Sequence, residues 1–261
     1  MHSELCHRPK IERWPLRSRF HGLACLGGLA ITLLSVSLPG LAAQADSAPA
    51  RILTLLEVRS DGVDRAERLL RQYAEALQAG DPAARIVLLQ ESDRRQRFVL
   101  LESAPGLQQL QELEMKEQPR IESLTPLLAA PRDRRAHRDF GSASAAGPAG
   151  GHAGSSGQGL YVVTHVDIAG PVSSGPQEAL EHIGSAARRA AGNLDFEVWQ
   201  QSNRGNHFNV IAQWAARRDF DQFASGEAAR QFRASVAPLL GSPYDERLYR
   251  ALCCARAAAA R

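Results

Sequence analysis

Three histidines in the second half of the sequence are the residues whose chemistry first suggests a metal site. They are His165, His182 and His207. Metal sites place such ligands at fixed spacings on one helix or loop and often add carboxylates. These histidines have neither a ligand spacing nor a carboxylate cluster beside them, so we expect no metal site. The sequence also contains no glycine-rich phosphate loop, no nucleophile elbow and no Cys-x-x-Cys pair.

The four cysteines do not form a disulfide framework. Cys6 and Cys25 lie near the start of the chain, which leaves Cys253 and Cys254 as neighbours near its end. A disulfide between adjacent residues closes a strained ring and seldom holds a fold together. We predict two thiols on a frayed tail, and an intermolecular bridge or a redox pair is the alternative.

Residues 1–45 have the layout of a secretory signal peptide. A basic stretch precedes an apolar run over 23–41, and the small-residue triplet Ala43-Gln44-Ala45 follows as a cleavage site. We expect cleavage after Ala45 and a periplasmic or secreted protein. The alternative is an uncleaved membrane anchor, because the apolar run approaches the roughly 17 to 20 residues that a spanning helix needs. Contact with a membrane is expected only in that case.

The charge of the chain argues against a nucleic-acid partner. The formal net charge is +3, and this whole excess of basic residues lies within residues 1–45. Beyond the leader, acidic and basic residues balance, so no general attraction to phosphate backbones is expected.

Residues 139–159 divide the rest of the chain into two halves. This segment is almost entirely Gly, Ala and Ser, which cannot bury enough apolar surface to offset the entropy of ordering. We interpret it as a flexible linker between a first domain at 51–138 and a second at 160–252. His152 lies inside the linker and is expected to be solvated.

The two halves share sequence patterns at a nearly constant offset, which predicts an internal duplication. Ser92-Asp93-Arg94 with Phe98 recurs 110 residues later as Ser202-Asn203-Arg204 with Phe208. A longer block recurs at an offset of 112; it comprises Pro126-Leu127-Leu128, Pro131, Asp133, Arg135 and Arg138, matched by Pro238-Leu239-Leu240, Pro243, Asp245, Arg247 and Arg250.

Each half is predicted to contain the same order of elements, βαββαβ. Short β-branched strands are expected at 52–58, 85–90, 97–102 and 134–140, and again at 160–168, 196–201, 207–214 and 246–252. Amphipathic helices closed by glycine follow the first strand of each half, and a second helix precedes the last strand. This is the ferredoxin-like order, in which the helices cover one face of an antiparallel sheet.

The strands are apolar on both faces, which predicts that the two halves cover each other. Leu53, Leu55 and Leu56 in one strand and Val162 and Val163 in another place apolar side chains at both parities. The tether gives each half a partner at high local concentration. The predicted fold class is therefore α+β, with two tandem ferredoxin-like units packed as an intrachain dimeric α/β barrel.

Aromatic and small residues of the second half follow a recognisable order. They are the turn Ala191-Gly192-Asn193, the strand Phe196-Glu197-Val198-Trp199, Trp214 at the end of the third strand, Phe220 and Phe223 in the next helix, and Arg247-Leu248-Tyr249 in the last strand. With these residues, the second half resembles the antibiotic biosynthesis monooxygenase family, whose members are dimeric α+β barrels. The first half looks like a diverged copy of the same unit.

The resemblance implies oxidation of a polycyclic phenol or quinol by oxygen, without metal, flavin or other cofactor. Such chemistry needs a dry cavity, donors that hold the substrate oxygens and an aromatic wall. The resemblance assigns catalytic roles to Trp214, Asn209 and His207, and substrate-binding roles to Trp199, His165, Arg247 and Tyr249. Three structural alternatives stay open: Trp214 as core packing, Arg247 as a solvated or ion-paired residue, and His207 as a surface group.

The sequence also departs from the family pattern. Gln222 and Ala229 stand where many relatives carry histidines, and Thr164 stands where haem-degrading members place an asparagine. Haem binding is therefore disfavoured for the second half. The first half has Ala104 near the position of the tryptophan, so we expect it to be a structural partner. Two alternatives to the enzyme remain: a non-catalytic module that binds a small aromatic molecule or serves as a scaffold, and a haem-binding barrel.

Overall fold

A computed structural model describes residues 49–141, 159–171 and 173–254 of the 261-residue chain. The predicted signal peptide and its cleavage site lie outside the described residues, as does most of the predicted linker with His152. Within the described ranges, no helix has the length and apolar character needed to cross a membrane.

The first half has the predicted order of elements, with one change. Its elements are β1 (Ala50–Glu57), α1 (Val63–Gly80), β2 (Arg85–Glu91), β3 (Arg97–Ala104), α2 (Leu107–Lys116), α3 (Gln118–Glu122) and β4 (Asp133–Asp139). The single second helix predicted from the sequence is wrong, because the chain leaves the α conformation at Glu117 and restarts with Pro119 in the first turn of α3.

The second half repeats this order. Its elements are β5 (Leu160–Asp167), α4 (Ser174–Arg189), β6 (Asn193–Gln201), β7 (His207–Trp214), α5 (Arg217–Ala224), α6 (Glu227–Val236) and β8 (Asp245–Cys253). Here too the predicted second helix is broken, because Gly226 adopts an extended conformation and caps a new helix. Equivalent strand residues differ by 110 in β1 and β5 and in β3 and β7, as their pairing registers show.

The eight strands form one closed antiparallel barrel in the order β1-β3-β2-β8-β5-β7-β6-β4. Each half contributes four adjacent strands, and two seams join the halves. At one seam β2 pairs with β8, and at the other β4 pairs with β6. This closure confirms the predicted α+β barrel. The two sheets therefore meet edge to edge, and their concave faces enclose a common interior.

Three separate apolar clusters fill the molecule. One lies between the first four strands and α1–α3, and a second lies between the last four strands and α4–α6. The third fills the barrel interior and contains Leu53, Val87, Leu89, Val99, Leu101, Tyr161, Val163, Trp199, Ile211 and Tyr249. Because successive strand residues face opposite sides of a sheet, strands buried on both faces need apolar residues at both parities.

The end of the chain differs from the frayed tail with two thiols predicted from the sequence. Cys253 is the last residue of β8 and pairs with Leu88 of β2, and it is disulfide-bonded to Cys254. Both cysteines are partly buried against the core of the first half. The prediction was wrong because pairing at the seam extends β8 through Cys253.

Candidate functional site

An apolar cavity of about 40 Å³ lies in the second half, between the outer face of the sheet and the helices α4–α6. Its lining consists of apolar strand residues below, aromatic helix residues above and a polar group at one side. The lining residues are Val162, Thr164, Ile183, Phe196, Val210, Ala212, Trp214, Phe220, Phe223, Ala224, Ala229, Phe232, Arg233, Tyr244 and Glu246. The cavity is therefore outside the barrel interior.

The alternation of β7 determines which of its side chains reach the cavity. Val210, Ala212 and Trp214 belong to the helix-facing cluster, whereas Ile211 belongs to the barrel interior. Residues of even number on this strand thus face the helices. Because Ala212 carries only a methyl group, the strand leaves space beneath α5 and α6.

Trp214 is the most distinctive residue of the cavity. Its side chain is 1% exposed, and its ring lies 5.0 Å from that of Phe223 and 6.2 Å from that of Phe220 between centroids. The indole Nε1–H has no hydrogen-bond partner among the described residues. A buried donor without a partner costs roughly 1–3 kcal/mol, so such a group needs a reason. A ligand oxygen bound in the cavity would be a hydrogen-bond partner for this N–H.

A phenol and a carboxyl group form the polar side of the cavity. The Tyr244 hydroxyl donates a hydrogen bond to Glu246 Oε2 over 3.2 Å. Burial raises the pKa of Tyr244 above its ordinary value. Partial burial also raises the pKa of Glu246, which stays open to solvent on one side, while Tyr244 and Arg233 oppose the shift. Arg233 itself is held in place, because its Nη2 donates to the Ala224 carbonyl over 2.6 Å.

Of the seven residues assigned from the resemblance, Trp214 lines this cavity and the other six do not. The six share the opposite face of the sheet, toward the barrel interior or its ends; they are His165, Trp199, His207, Asn209, Arg247 and Tyr249. The structure therefore does not bring them together with Trp214. Counting parity along β7 would have separated Asn209 from Trp214.

Asn209 is part of a buried hydrogen-bond network that sequence reasoning missed. Its Nδ2 donates to Nε2 of His137 over 2.8 Å, and its Oδ1 lies 3.4 Å from Nδ1 of His165. Nδ1 of His137 lies 2.9 Å from the Arg135 carbonyl and donates to it in the neutral tautomer. Burial lowers the pKa of His137 to about 4. His137 was missed because it comes from the first half, across the β4–β6 seam.

His207 and His165 lie beside this network. Nε2 of His207 contacts Asp167 Oδ1 at 3.2 Å, and its ring centroid lies 5.5 Å from that of His165. His207 is buried, in contrast to the surface position considered as an alternative. Burial lowers the pKa of both imidazoles. Within the described residues, no group of three or more potential ligands is arranged to hold a metal ion.

The remaining assigned residues have partners of their own. Trp199 Nε1 donates to Glu197 Oε2 over 2.8 Å inside the barrel. Arg247 is ion-paired, with Asp245 at 2.7 Å and Glu91 at 3.6 Å. Tyr249 is buried in the interior, and burial raises its pKa to about 12. Trp214 is therefore the one tryptophan of the two described whose indole N–H is left without a partner.

Comparison with known proteins places the chain in a structural class. A candidate monooxygenase from Lactobacillus acidophilus superposes with a TM-score of 0.61 at 7% identity, covering 78% of this chain and 94% of that one. A candidate monooxygenase from Fusobacterium nucleatum gives 0.62 at 9% identity, covering 79% and 94%. An anthrone oxidase-like protein gives 0.59 at 12% identity, covering 83% and 98%. The fold is that of the dimeric α+β barrel with both units in one chain.

The family follows from the second half. Residues 160–235 match the family model described as antibiotic biosynthesis monooxygenase. The second half is therefore a domain of the antibiotic biosynthesis monooxygenase family, which confirms the resemblance stated from its sequence. No curated protein matches the chain in sequence.

Proposed function

We propose that the protein binds a fused-ring phenol or quinol beside Trp214, between the sheet and the helices of the second half, and oxidises it with dioxygen, without a metal or flavin. The observation that carries the proposal is the unpartnered indole N–H of Trp214 within a cavity walled by aromatic side chains. An aromatic wall orients a flat substrate, and a preorganised donor stabilises a developing oxyanion in a dry site.

In its keto form, such a phenol carries a ring CH₂ group. The reaction converts this group into a carbonyl. Loss of one proton gives a phenolate, which passes one electron to dioxygen, and the resulting superoxide and carbon radical combine into a peroxide. Return of the proton and loss of water leave the carbonyl, so that one oxygen atom enters the product and the other leaves as water. A quinol gives a quinone and hydrogen peroxide instead.

Two groups of the cavity fit the needs of this reaction. Trp214 Nε1–H would donate to the phenolate oxygen and so favour loss of the proton. Glu246 would accept that proton and later return it to the peroxide; its raised pKa makes the carboxylate a stronger base. Tyr244 orients Glu246 through its hydrogen bond.

The competing function is a non-catalytic module that binds a small aromatic molecule. The observation that favours it is the size of the cavity, about 40 Å³, against the roughly 300–1,000 Å³ of typical ligand pockets. A haem-binding barrel has less support. His165 and His207, its candidate ligands, lie on the face of the sheet turned away from the cavity.

We also propose that the protein acts outside the cytoplasm after removal of residues 1–45. This rests on the basic and apolar layout of the leader alone. Amino-terminal sequencing of the exported protein should give Asp46 as the first residue. A mature chain that keeps the leader and sediments with membranes would favour the anchor.

Oxygen consumption by the purified protein tests the enzymatic proposal. We expect turnover with at least one member of a panel of quinols and polycyclic phenols, such as hydroquinone, 1-naphthol and anthrone. Trp214→Phe should lower kcat/KM about 100-fold, the usual effect of removing one oxyanion donor. The matched control is Trp199→Phe, because the N–H of Trp199 already donates to Glu197.

Three outcomes separate the functions. A selective loss with Trp214→Phe supports the enzyme. Tight binding of an aromatic ligand without oxygen consumption would favour the binding module. Equal losses in the two variants, at unchanged thermal stability, would contradict the role given to the Trp214 indole.

A further inference from the structure

A second, more open space lies directly outside the candidate site. It is a groove of about 310 Å³ between α4 and α6. Ala179 and Ala228 are among the small residues along it, and His182, Glu178 and Gln231 provide a polar rim. Unlike the inner cavity, the groove reaches the lower end of the range for ligand pockets, roughly 300–1,000 Å³.

Two side chains separate the groove from the inner cavity. Ile183 of α4 and Phe232 of α6 line both spaces. Both side chains are buried and line both spaces, so they form the partition between them. The ring of Phe232 also lies edge-on to Tyr244, at 6.4 Å between centroids. The polar side of the inner cavity therefore lies behind this partition.

We infer that the groove is the outer compartment of one continuous ligand site, and that Phe232 is the gate between its two parts. The inference rests on the proposed function, because it gives the inner cavity its ligand. The inner cavity alone is too small for a fused-ring molecule, whereas the two spaces joined by rotation of Phe232 would hold one.

Phe232 is a better gate than Ile183. A β-branched side chain in the middle of a helix has one strongly preferred χ1 rotamer, which keeps Ile183 in place. Phe232 lies on α6, a ten-residue helix separated from α5 by the break at Ser225 and Gly226. Rotation of the Phe232 ring therefore opens the partition without moving the sheet or α4.

The two compartments together define the ligand. The inner end offers one unpartnered donor, Trp214 Nε1–H, among aromatic rings, and the outer end offers the polar rim with His182 and Gln231. A matching molecule is elongated and flat, has two or more fused rings, and carries an oxygen substituent that accepts a hydrogen bond from Trp214 Nε1–H. A single-ring quinol is too short to occupy both compartments at once.

Ligand length provides the test. Ala228 lines the groove and not the inner cavity, so Ala228→Trp obstructs the outer compartment alone. We expect this change to weaken binding of anthrone at least 10-fold, and to change binding of hydroquinone less than 2-fold, by isothermal titration calorimetry. The matched control is Ala234→Trp, on an exposed part of α6 that lines neither space.

Removal of the gate gives the second measurement. Phe232→Ala should raise the association rate of anthrone at least 10-fold in stopped-flow fluorescence, whereas Phe220→Ala, which changes only the inner cavity, should not. Equal effects of Ala228→Trp on short and long ligands, or an unchanged rate in Phe232→Ala, would overturn the inference. Failure of Trp214→Phe to weaken any ligand would instead refute the proposed function.

Discussion

The layer between the sheet and the helices contains the cavity in the second half, and the same layer of the first half holds larger side chains at two equivalent positions. At equivalent positions the first half has Tyr73 and Glu102, and the second half has Ile183 and Ala212. The two first-half side chains are each 2% exposed. Two units of one architecture thus differ in the size of the side chains that face their helix layer.

The layer of the first half also contains ionisable groups beside its apolar core. Burial raises the pKa of Glu102 to about 7, and Thr54 provides a hydrogen bond that opposes the shift. Glu114, which forms an ion pair with Arg134 at 2.9 Å, lies close enough to affect this carboxyl group. The first half therefore places Glu102, Glu114 and Arg134 beside its apolar core, which suits a structural partner. The second half keeps an apolar space with one free donor.

The largest expected effect comes from giving the second half the side chains of the first. Ile183→Tyr combined with Ala212→Glu would fill the cavity under Trp214, so we expect binding of every aromatic ligand to be lost. Isothermal titration calorimetry with anthrone and hydroquinone measures this. Because the new side chains add a buried carboxyl group, circular dichroism must first show that the variant is folded.

The reverse exchange is the control for this filling experiment. Tyr73→Ile combined with Glu102→Ala removes the same groups from the first half and should leave ligand binding unchanged. Retained binding in the filled variant, or lost binding in the emptied one, would show that the cavity of the second half is not the site.

Glu102 gives the next largest effect, on stability. Its pKa rises from 4.5 to about 7 in the fold, so the folded state holds a proton that the unfolded state has released between these values. Stability is therefore lost as pH rises through this range. Glu102→Gln should stabilise the protein by about 3 kcal/mol at pH 8 and about 1 kcal/mol at pH 5.

Urea unfolding at the two pH values measures this difference. Glu75→Gln, on an exposed part of α1, is the matched control and should change stability little at either pH. A stabilisation by Glu102→Gln that does not depend on pH would contradict the perturbed carboxyl group.

His137 has the opposite pH dependence at the seam between the halves. Its pKa falls from 6.5 to about 4 in the fold. Between these pH values the unfolded state therefore binds a proton that the folded state does not bind. Stability is lost as pH falls below 6.5, by about 2 kcal/mol at pH 5 for this group. The charged and titratable groups that affect the pKa of His137 are Arg135, His165 and Asp133.

His137→Gln should remove this part of the acid sensitivity. The measurement is the change in unfolding free energy between pH 8 and pH 5, which should be about 2 kcal/mol smaller than in the unmodified protein. His182→Gln, an exposed histidine in the second half, is the control. An unchanged acid sensitivity in His137→Gln would mean that another group, such as His165 or His207, dominates it.

The fold was predictable from the sequence because each half repeats the same pattern and carries apolar residues on both faces of its strands. The side chains of Val162 and Val163, for example, belong to two different cores. The break within the second helix was missed in both halves. It depends on one residue in each, Pro119 and Gly226, within an otherwise helical pattern.

The candidate site was less predictable because it depends on whether the odd-numbered or the even-numbered side chains of a strand face the helices. Of the residues assigned from the resemblance, Trp214 alone lies in the candidate site. Tyr244 precedes the last strand and reaches the cavity through the turn, so no strand pattern indicates it. His137 reaches its network across the β4–β6 seam. The register of that pairing cannot be read from the sequence of either strand alone.

The last comparison concerns how each half connects its first helix to the next strand, and its readout is a difference of about 1 kcal/mol between two glycine substitutions. The first half uses a side chain, since Gln78 donates to the Ala84 carbonyl over 2.7 Å and accepts from Ile86 N over 3.1 Å. The second half uses Gly192, which has a φ of 76° and whose carbonyl accepts from Ala215 N over 2.7 Å. L-residues with a side chain disfavour this backbone conformation.

Gly192→Ala should lower the unfolding free energy by about 2 kcal/mol, because its methyl group would also overlap the Asp219 side chain. Gly170→Ala separates the two causes. Gly170 has nearly the same φ, 75°, but a Cβ there meets no atom within 4 Å, so we expect a cost of about 1 kcal/mol. Equal costs in urea unfolding would show that Asp219 moves aside freely and that backbone conformation alone selects glycine in this turn.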